Sequence, residues 1–224
     1  MGLIDRYNEH RSITDYCLEY IMGTTQRRRR EAAYRRKSIL DAGRKIFWAQ
    51  GYHKATVPQI ATEAELAPGT LYLYFPSKAA IYAELLVEGY DHLLARLQEA
   101  AAHISPTQAA RGLVKTFFDF AREAPEYFQI MFFVLQGEGG EAWEGLFHPQ
   151  QIDLLKTREA ACHDVVAQVL ERIDYAPAQR RSETVAAVWS MLAGVVFYFR
   201  NSDNFDAVAD QAATIVLAGT LPDA

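Results

Sequence analysis

Three prolines, Pro58, Pro68 and Pro76, punctuate one short stretch of the chain, and Gly51 stands just ahead of them. Proline lacks the backbone donor and clashes with the preceding turn, so a helix meets it at its first turn or stops. The stretch TVPQIATEAELAPGTLYLYFPSK, residues 56–78, must therefore consist of short elements. Thr56 is placed to cap a helix, Gln59 completes a capping box, and Pro58 falls in the first turn. Ile60 and Ala61 point this helix inward, and it runs to about Ala64. Glu65, Leu66 and Ala67 make a tight connection, after which Pro68 opens a helix through Leu71 and Tyr72. Pro76 and Ser77 end that helix and cap a further one near Lys78. Upstream, Ile39, Leu40, Gly43, Phe47 and Gln50 mark a first helix that Gly51 stops. Two short helices joined by a tight turn and laid over a longer one form a helix-turn-helix unit, whose second member enters the major groove.

The residues left outside this packing account for the composition of APGTLYLYFPSK, residues 67–78. They supply hydroxyls, rings and a lysine, which suit phosphate and base edges, and no placed nucleophile, acid or base. Charge points the same way. The whole chain has a net charge of −5, but residues 26–78 contain eleven basic and four acidic side chains. Residues 1–25 contain two basic and four acidic, and residues 79–224 ten basic and twenty acidic. A basic segment in an acidic chain implies two units with different partners.

The segment 36–86 resembles the TetR family of transcriptional regulators. The resemblance is carried by Arg-x-x-Ile-Leu at 36–40, Phe47-x-x-x-Gly51-Tyr52, Thr56 with Ile60-Ala61, and Gly69-Thr70-Leu71-Tyr72-x-Tyr74-Phe75-x-x-Lys78. It implies an all-α fold: a helix-turn-helix three-helix DNA-binding domain, then a larger helical ligand-binding and dimerisation domain. The expected division is 1–25 as an N-terminal extension, 26–78 as the DNA-binding domain with a basic arm, and 79–224 as the effector and dimer domain. The expected DNA-binding residues are Arg36, Thr56, Gln59, Pro68, Gly69, Thr70, Tyr72, Leu73, Tyr74 and Lys78. Thr56 is either a cap alone or a cap that also holds phosphate. Gly69 allows close backbone approach, and Thr70 reaches phosphate or a base edge. In the family the positions of Tyr72 and Tyr74 commonly touch the DNA backbone, although Tyr72 also suits a core. Leu73 offers an apolar contact to a thymine methyl, and Lys78 a phosphate contact. Leu71 and Phe75 are assigned to packing.

Two departures from the family pattern stand out. Glu65 occupies a turn position where many members carry glycine, and Pro58 and Gln59 stand where some relatives place a base-reading arginine. The run Arg27–Arg30, followed by Arg35, Arg36 and Lys37, is expected along phosphates or in a minor groove. For residues 1–25 two readings stand: an amphipathic helix with Ile13, Cys17, Tyr20 and Ile21 on one stripe, or a loosely docked tail.

Beyond Lys78 the spacing of Tyr82, Leu85, Leu86, Leu93 and Leu97 describes a long linking helix. Pro106 and Pro125 bracket a central helix, another starts at Pro125, and 137–140 is a glycine-rich loop. Further helices are expected over about 150–173, 179–200 and 205–219. The segment 181–200 is apolar on more than one face, which suits one face against its own domain and one against a second subunit. An apolar or aromatic effector is expected among Phe117, Phe120, Phe128, Met131, Phe132, Trp143, Phe147 and Trp189.

No nucleophile elbow, His-Glu-x-x-His, Walker loop or dinucleotide fingerprint occurs, and the six histidines are scattered, so no enzyme, metal site or cofactor is expected. Two cysteines without a motif, no signal-like start and no apolar run near the roughly 20 residues that span a bilayer suggest a cytoplasmic protein with no membrane partner. The expected function is a homodimeric repressor that binds a palindromic operator in double-stranded DNA and is released by a small effector. A helix-turn-helix regulator without an effector, acting constitutively or through a protein partner, is the alternative.

Overall fold

The computed structural model describes residues 13–136, 143–175 and 180–220, with side chains over 25–131, 145–175 and 180–219. All regular structure among the described residues is helical, in the order α1 (Ile13–Lys54), α2 (Val57–Glu63), α3 (Pro68–Tyr72), α4 (Lys78–Ala101) and α5 (Pro106–Glu123), then α6 (Pro125–Gln136), α7 (Trp143–Leu146), α8 (Pro149–Arg172), α9 (Arg181–Phe199) and α10 (Phe205–Thr220). The glycine-rich loop at 137–140 lies outside the described residues.

Local chemistry sets most of the boundaries. Thr56 caps α2 through a capping box with Gln59, with Pro58 in the first turn. Ser77 caps α4 by accepting from the Ala80 amide, and Ser105 caps α5 by accepting from Gln108. His148 begins α8: its Nδ1 accepts from the Gln150 amide while Gln151 Oε1 accepts from the His148 amide. Pro68, Pro106 and Pro149 all sit in first turns, where a missing donor costs little.

The first helix departs from expectation. It begins at Ile13, not near Ile39, and continues to Lys54, with a break at Gly51, whose φ is 76°. The expected boundary between an N-terminal extension at 1–25 and the following segment therefore falls inside α1, and Arg27–Arg30 are helical and exposed. Lysine and arginine are good helix formers when solvated, and Arg27 also pairs with Glu31 one turn on. Gly51 nonetheless acts as read: the chain turns there, and the Ala55 amide donates back to Gly51 O at 3.3 Å.

The core is continuous from Ile39 to Leu217. No apolar seam separates the first helices from the rest, because α4 serves both. Its Ile81 and Leu85 close over Gly43 of α1, where a Cβ would stand 2.8 Å from Ile81 Cγ2. Further along, Tyr82 packs edge-on against Phe47 and Tyr52 of α1 and parallel to Phe147, and its hydroxyl donates to Ile130 O of α6 at 2.7 Å. Burial pushes the Tyr82 pKa up, which keeps that phenol a donor. Beyond it α4 runs against α8, and α5, α9 and α10 complete the body.

Gly43→Ala should destabilise the chain by about 1 kcal/mol or more, since overpacking outweighs the helix-propensity gain. The denaturant midpoint measures this, and an unchanged or raised midpoint would show that Ile81 moves aside freely.

Candidate nucleic-acid interface

Short helices need anchors, since so few residues cannot stabilise themselves. In α2 the anchors are Ile60 and Ala61, and in the α3 region Leu71 and Phe75, all buried. Between the two helices Glu65 has φ 56°, in the left-handed region. The Leu66 amide donates to Ala61 O at 2.8 Å and the Glu65 amide to Thr62 O at 3.0 Å, the Schellman pairing that ends a helix. That region favours glycine, so the turn holds a glutamate under strain.

With Leu71 and Phe75 inward, α3 turns Pro68, Gly69 and Tyr72 outward, and Leu73 follows them. Leu73 is 82% exposed and Tyr72 53% exposed, while Thr70 and Tyr74 are half-buried. Nothing lies within 4 Å of a Cβ at Gly69, so that backbone is open to approach from outside. Thr56 and Gln59 are exposed at the start of α2 on the same unit. Gln59 Oε1 accepts from the Thr56 amide, the Thr56 hydroxyl and Gln50 Nε2. Eight of the ten expected positions are thus exposed or half-buried on α2, α3 and the segment that follows α3.

Arg36 and Lys78 stand apart from these eight, because both cations have internal partners. Arg36 Nε donates to Glu84 Oε1 at 3.0 Å and Nη1 to Tyr74 O at 3.0 Å, Nη2 pairs with the other Glu84 oxygen, and the guanidinium lies 4.2 Å over the Phe75 ring. Lys78 Nζ donates to Tyr52 O at 2.7 Å and Ala55 O at 2.9 Å and sits 4.2 Å over the Tyr52 ring. Burial lowers the Lys78 pKa. Sequence reading did not see these bonds, because the partners lie 23 to 48 residues away.

The expected effector residues divide. Phe117 and Trp189 line a small, partly open apolar cavity of about 40 Å³ between α4, α5, α8, α9 and α10. Phe120, Phe128, Met131 and Phe147 are buried in ordinary packing: Phe128 meets both Phe117 and Phe120, Met131 lies against Gly89, and Phe147 stacks on Tyr82. The side chains of Phe132 and Trp143 lie outside the described residues. Most of the lining was not singled out from sequence, because it is aliphatic: Leu97, Leu113, Val166, Leu192, Val216 and Leu217 among others. Edge-on to Trp189, with centroids 4.7 Å apart, stands His163. Its Nε2 is buried without a partner, and burial lowers its pKa against the pull of Glu159 and Asp164.

On α9, Met191, Phe197 and Tyr198 are exposed beside Ala186 and Ala187, and no atom lies within 4 Å of a Cβ at Gly194. By length and composition alone this helix is long and apolar enough to cross a bilayer, as core helices of non-membrane proteins also are. Its buried side, Val185, Leu192 and Val196, faces the body.

Residues 39–85 match the model for bacterial regulatory proteins of the tetR family. The chain is 26% identical over 170 residues to the HTH-type transcriptional activator FasR of Mycolicibacterium smegmatis, covering 75% of this chain and 74% of that protein. It is 28% identical over 138 residues to the HTH-type transcriptional regulator UidR of Escherichia coli K12, covering 62% of this chain and 65% of UidR, just under two thirds of its length. In fold it is similar to the transcriptional regulator FadR of Bacillus subtilis, solved in complex with stearoyl-CoA: TM-score 0.66, 16% identity, over 82% of this chain and 98% of that one.

Replacing Glu65 with glycine should relieve the left-handed strain and raise stability by about 0.5–1 kcal/mol. Thermal melting at two pH values checks this, and a loss of stability would mean that the carboxylate makes a compensating contact.

Proposed function

From the premise that the chain belongs, through residues 39–85, to the TetR family of bacterial regulatory proteins, we propose that it is a homodimeric repressor released from a palindromic operator by a small apolar effector. DNA-binding transcriptional regulation is the family's function, and its members are not enzymes. The observation that carries the reading is the outer face of α3, where an 82% exposed leucine and a half-exposed tyrosine stand over two fully buried anchors. Apolar groups held that far into water on a rigid base suit a surface that closes on a partner. In the major groove Leu73 would meet a thymine methyl, Thr70 and Tyr74 would reach base edges or phosphate, and the α2 N-terminus with Thr56 would hold phosphate. Arg27–Arg30 and Arg35 add salt-dependent attraction from α1.

A single helix-turn-helix unit reads one half-site, so the exposed apolar side of α9 is assigned to a second copy. Residues 26–78 act as the reading unit and 79–224 as the effector and dimer unit, joined by α4. The cytoplasm is the compartment where such a regulator meets DNA.

The almost wholly apolar lining of the cavity suits a hydrocarbon chain, and the stearoyl-CoA bound by the Bacillus subtilis neighbour makes acyl groups the first class to test. Ligand pockets run to about 300–1,000 Å³, so a cavity of about 40 Å³ must open before it holds a ligand. Opening it moves α5, α8, α9 and α10 apart along α4, which begins at the reading unit. A difference of about 100-fold in operator affinity, near 2.7 kcal/mol, makes a useful switch.

Anisotropy against DNA flanking the gene, with a scrambled duplex as control, tests the reading. Binding of two chains per site, lost on adding a long-chain acyl-CoA, is expected. Operator binding that no acyl compound alters removes that effector class, and equal binding to both duplexes removes sequence reading. Leu73→Ala should leave the melting temperature unchanged and cost about 1 kcal/mol of specific binding, close to fivefold. Leu113→Trp, which fills the cavity, should keep operator binding and abolish release by the ligand, as titration of the preformed complex would show.

A further inference from the structure

We infer that His163 is the polar recognition group beside the effector cavity, and that the ligand it selects carries an uncharged oxygen, an ester or thioester carbonyl or a hydroxyl, on its hydrocarbon chain. The inference rests on the effector reading above and adds to it the group that tells one apolar ligand from another.

Position comes first. The residues of α8 that border the cavity are Val166, Val169 and Leu170. His163 precedes Leu170 by seven residues, which brings a helix back to within about 20° of the same direction. It also stands one turn before Val166, so α8 presents the imidazole and the valine on one side. The helix α9 runs antiparallel to α8, because Arg181 pairs with Glu171 while Trp189, further along α9, meets His163, further back on α8. Trp189 is shared between the cavity and the imidazole. It borders the cavity, meets Phe117 edge-on at 5.2 Å, and meets His163 edge-on at 4.7 Å. A ligand that widens the cavity on this side reaches His163 beside Trp189.

Chemistry then gives His163 its role. Apart from the indole N–H of Trp189, every side chain described in the lining is hydrocarbon. The Nε2 of His163 is enclosed and has no partner among the described residues. A buried ring nitrogen in that state carries a free-energy cost, which a ligand oxygen removes and an all-carbon ligand leaves in place. Burial also lowers the His163 pKa, against the pull of Glu159 and Asp164, so the ring meets its ligand neutral. A neutral imidazole donates to a carbonyl or accepts from a hydroxyl, according to its tautomer. Among the described lining residues there is no lysine or arginine. A carboxylate drawn in would lose its hydration and gain no counter-charge, whereas an uncharged oxygen loses far less.

The test uses full-length protein at neutral pH and three probes of equal chain length: 1-decanol, methyl decanoate and decanoate. Affinities are read from the rise of the melting temperature with probe concentration. The variants are His163→Phe, which keeps a ring against Trp189 and removes the nitrogens, and His163→Gln, which keeps a hydrogen-bonding group. The wild-type chain should take 1-decanol and methyl decanoate in preference to decanoate. His163→Phe should weaken both uncharged probes about tenfold, the scale of a buried oxygen left without a partner, and leave decanoate unchanged. His163→Gln should hold the uncharged probes within about threefold of the wild type. Without probe, His163→Phe should melt no lower than the wild type, since it removes an unpartnered polar group. Wild-type affinity of His163→Phe for the uncharged probes, or an equal loss for all three, makes His163 a packing residue and leaves the effector reading intact. Decanoate as the tightest probe overturns the selection of an uncharged oxygen. A wild-type melting temperature that none of the three raises counts against the effector reading and removes this inference with it.

Discussion

The packing of Leu71 and Phe75 under a five-residue helix is the contact on which the surface of α3 depends. A helix that short has no stability in isolation, since nucleation costs more than one turn of hydrogen bonds returns. Its existence is a property of the surface beneath it. In it α3 meets α2, α2 meets α1, and α1 meets α4, which is equally the central helix of the body. A movement of α4 therefore reaches α3 through α1 and α2. The outward side chains follow because they have no support of their own.

Ion pairs reinforce the same arrangement along α4. Glu84 and Glu88 lie one turn apart and meet Arg36 and Arg44 of α1, while Asp91 meets Arg158 of α8. These pairs are half-exposed, so each contributes modestly to stability. Their value is directional: a planar guanidinium against a carboxylate resists sliding of one helix along another. Round the cavity the ties lie at the helix ends, Arg122 of α5 with Asp206 of α10 and Arg181 of α9 with Glu171 of α8, while the lining between them is almost wholly apolar.

The reading unit was legible in the sequence because its punctuation is local. Thr56 with Gln59, Pro68 and Ser77 with Ala80 each act within three or four residues, and the helices begin where those residues stand. The left-handed turn at Glu65 was legible too, from the resemblance. The internal partners of Arg36 and Lys78 were not legible, because their chemistry suits phosphate and carbonyl equally and only the fold brings the carbonyls to them. Aromatic residues were a poor guide to the cavity: Phe120 and Phe128 fill space while leucines and valines border it. The length of α1 was missed because Arg27–Arg30 read as a charge run and carry no apolar periodicity to announce a helix.

That last feature changes what the arginines are. On a loose arm they would search independently of the reading unit. On α1 they share one rigid helix with Ile39 and Phe47, which are packed in the core. Helical geometry then gives them a phase: about 100° of rotation and 1.5 Å of advance for every residue. Arg30 and Ile39 are held at a fixed angle around a common axis, so a single residue inserted between them would swing the cluster to another side of the rod. The charge is thus indexed to the reading helix, as a tooth is to the shaft on which it is cut.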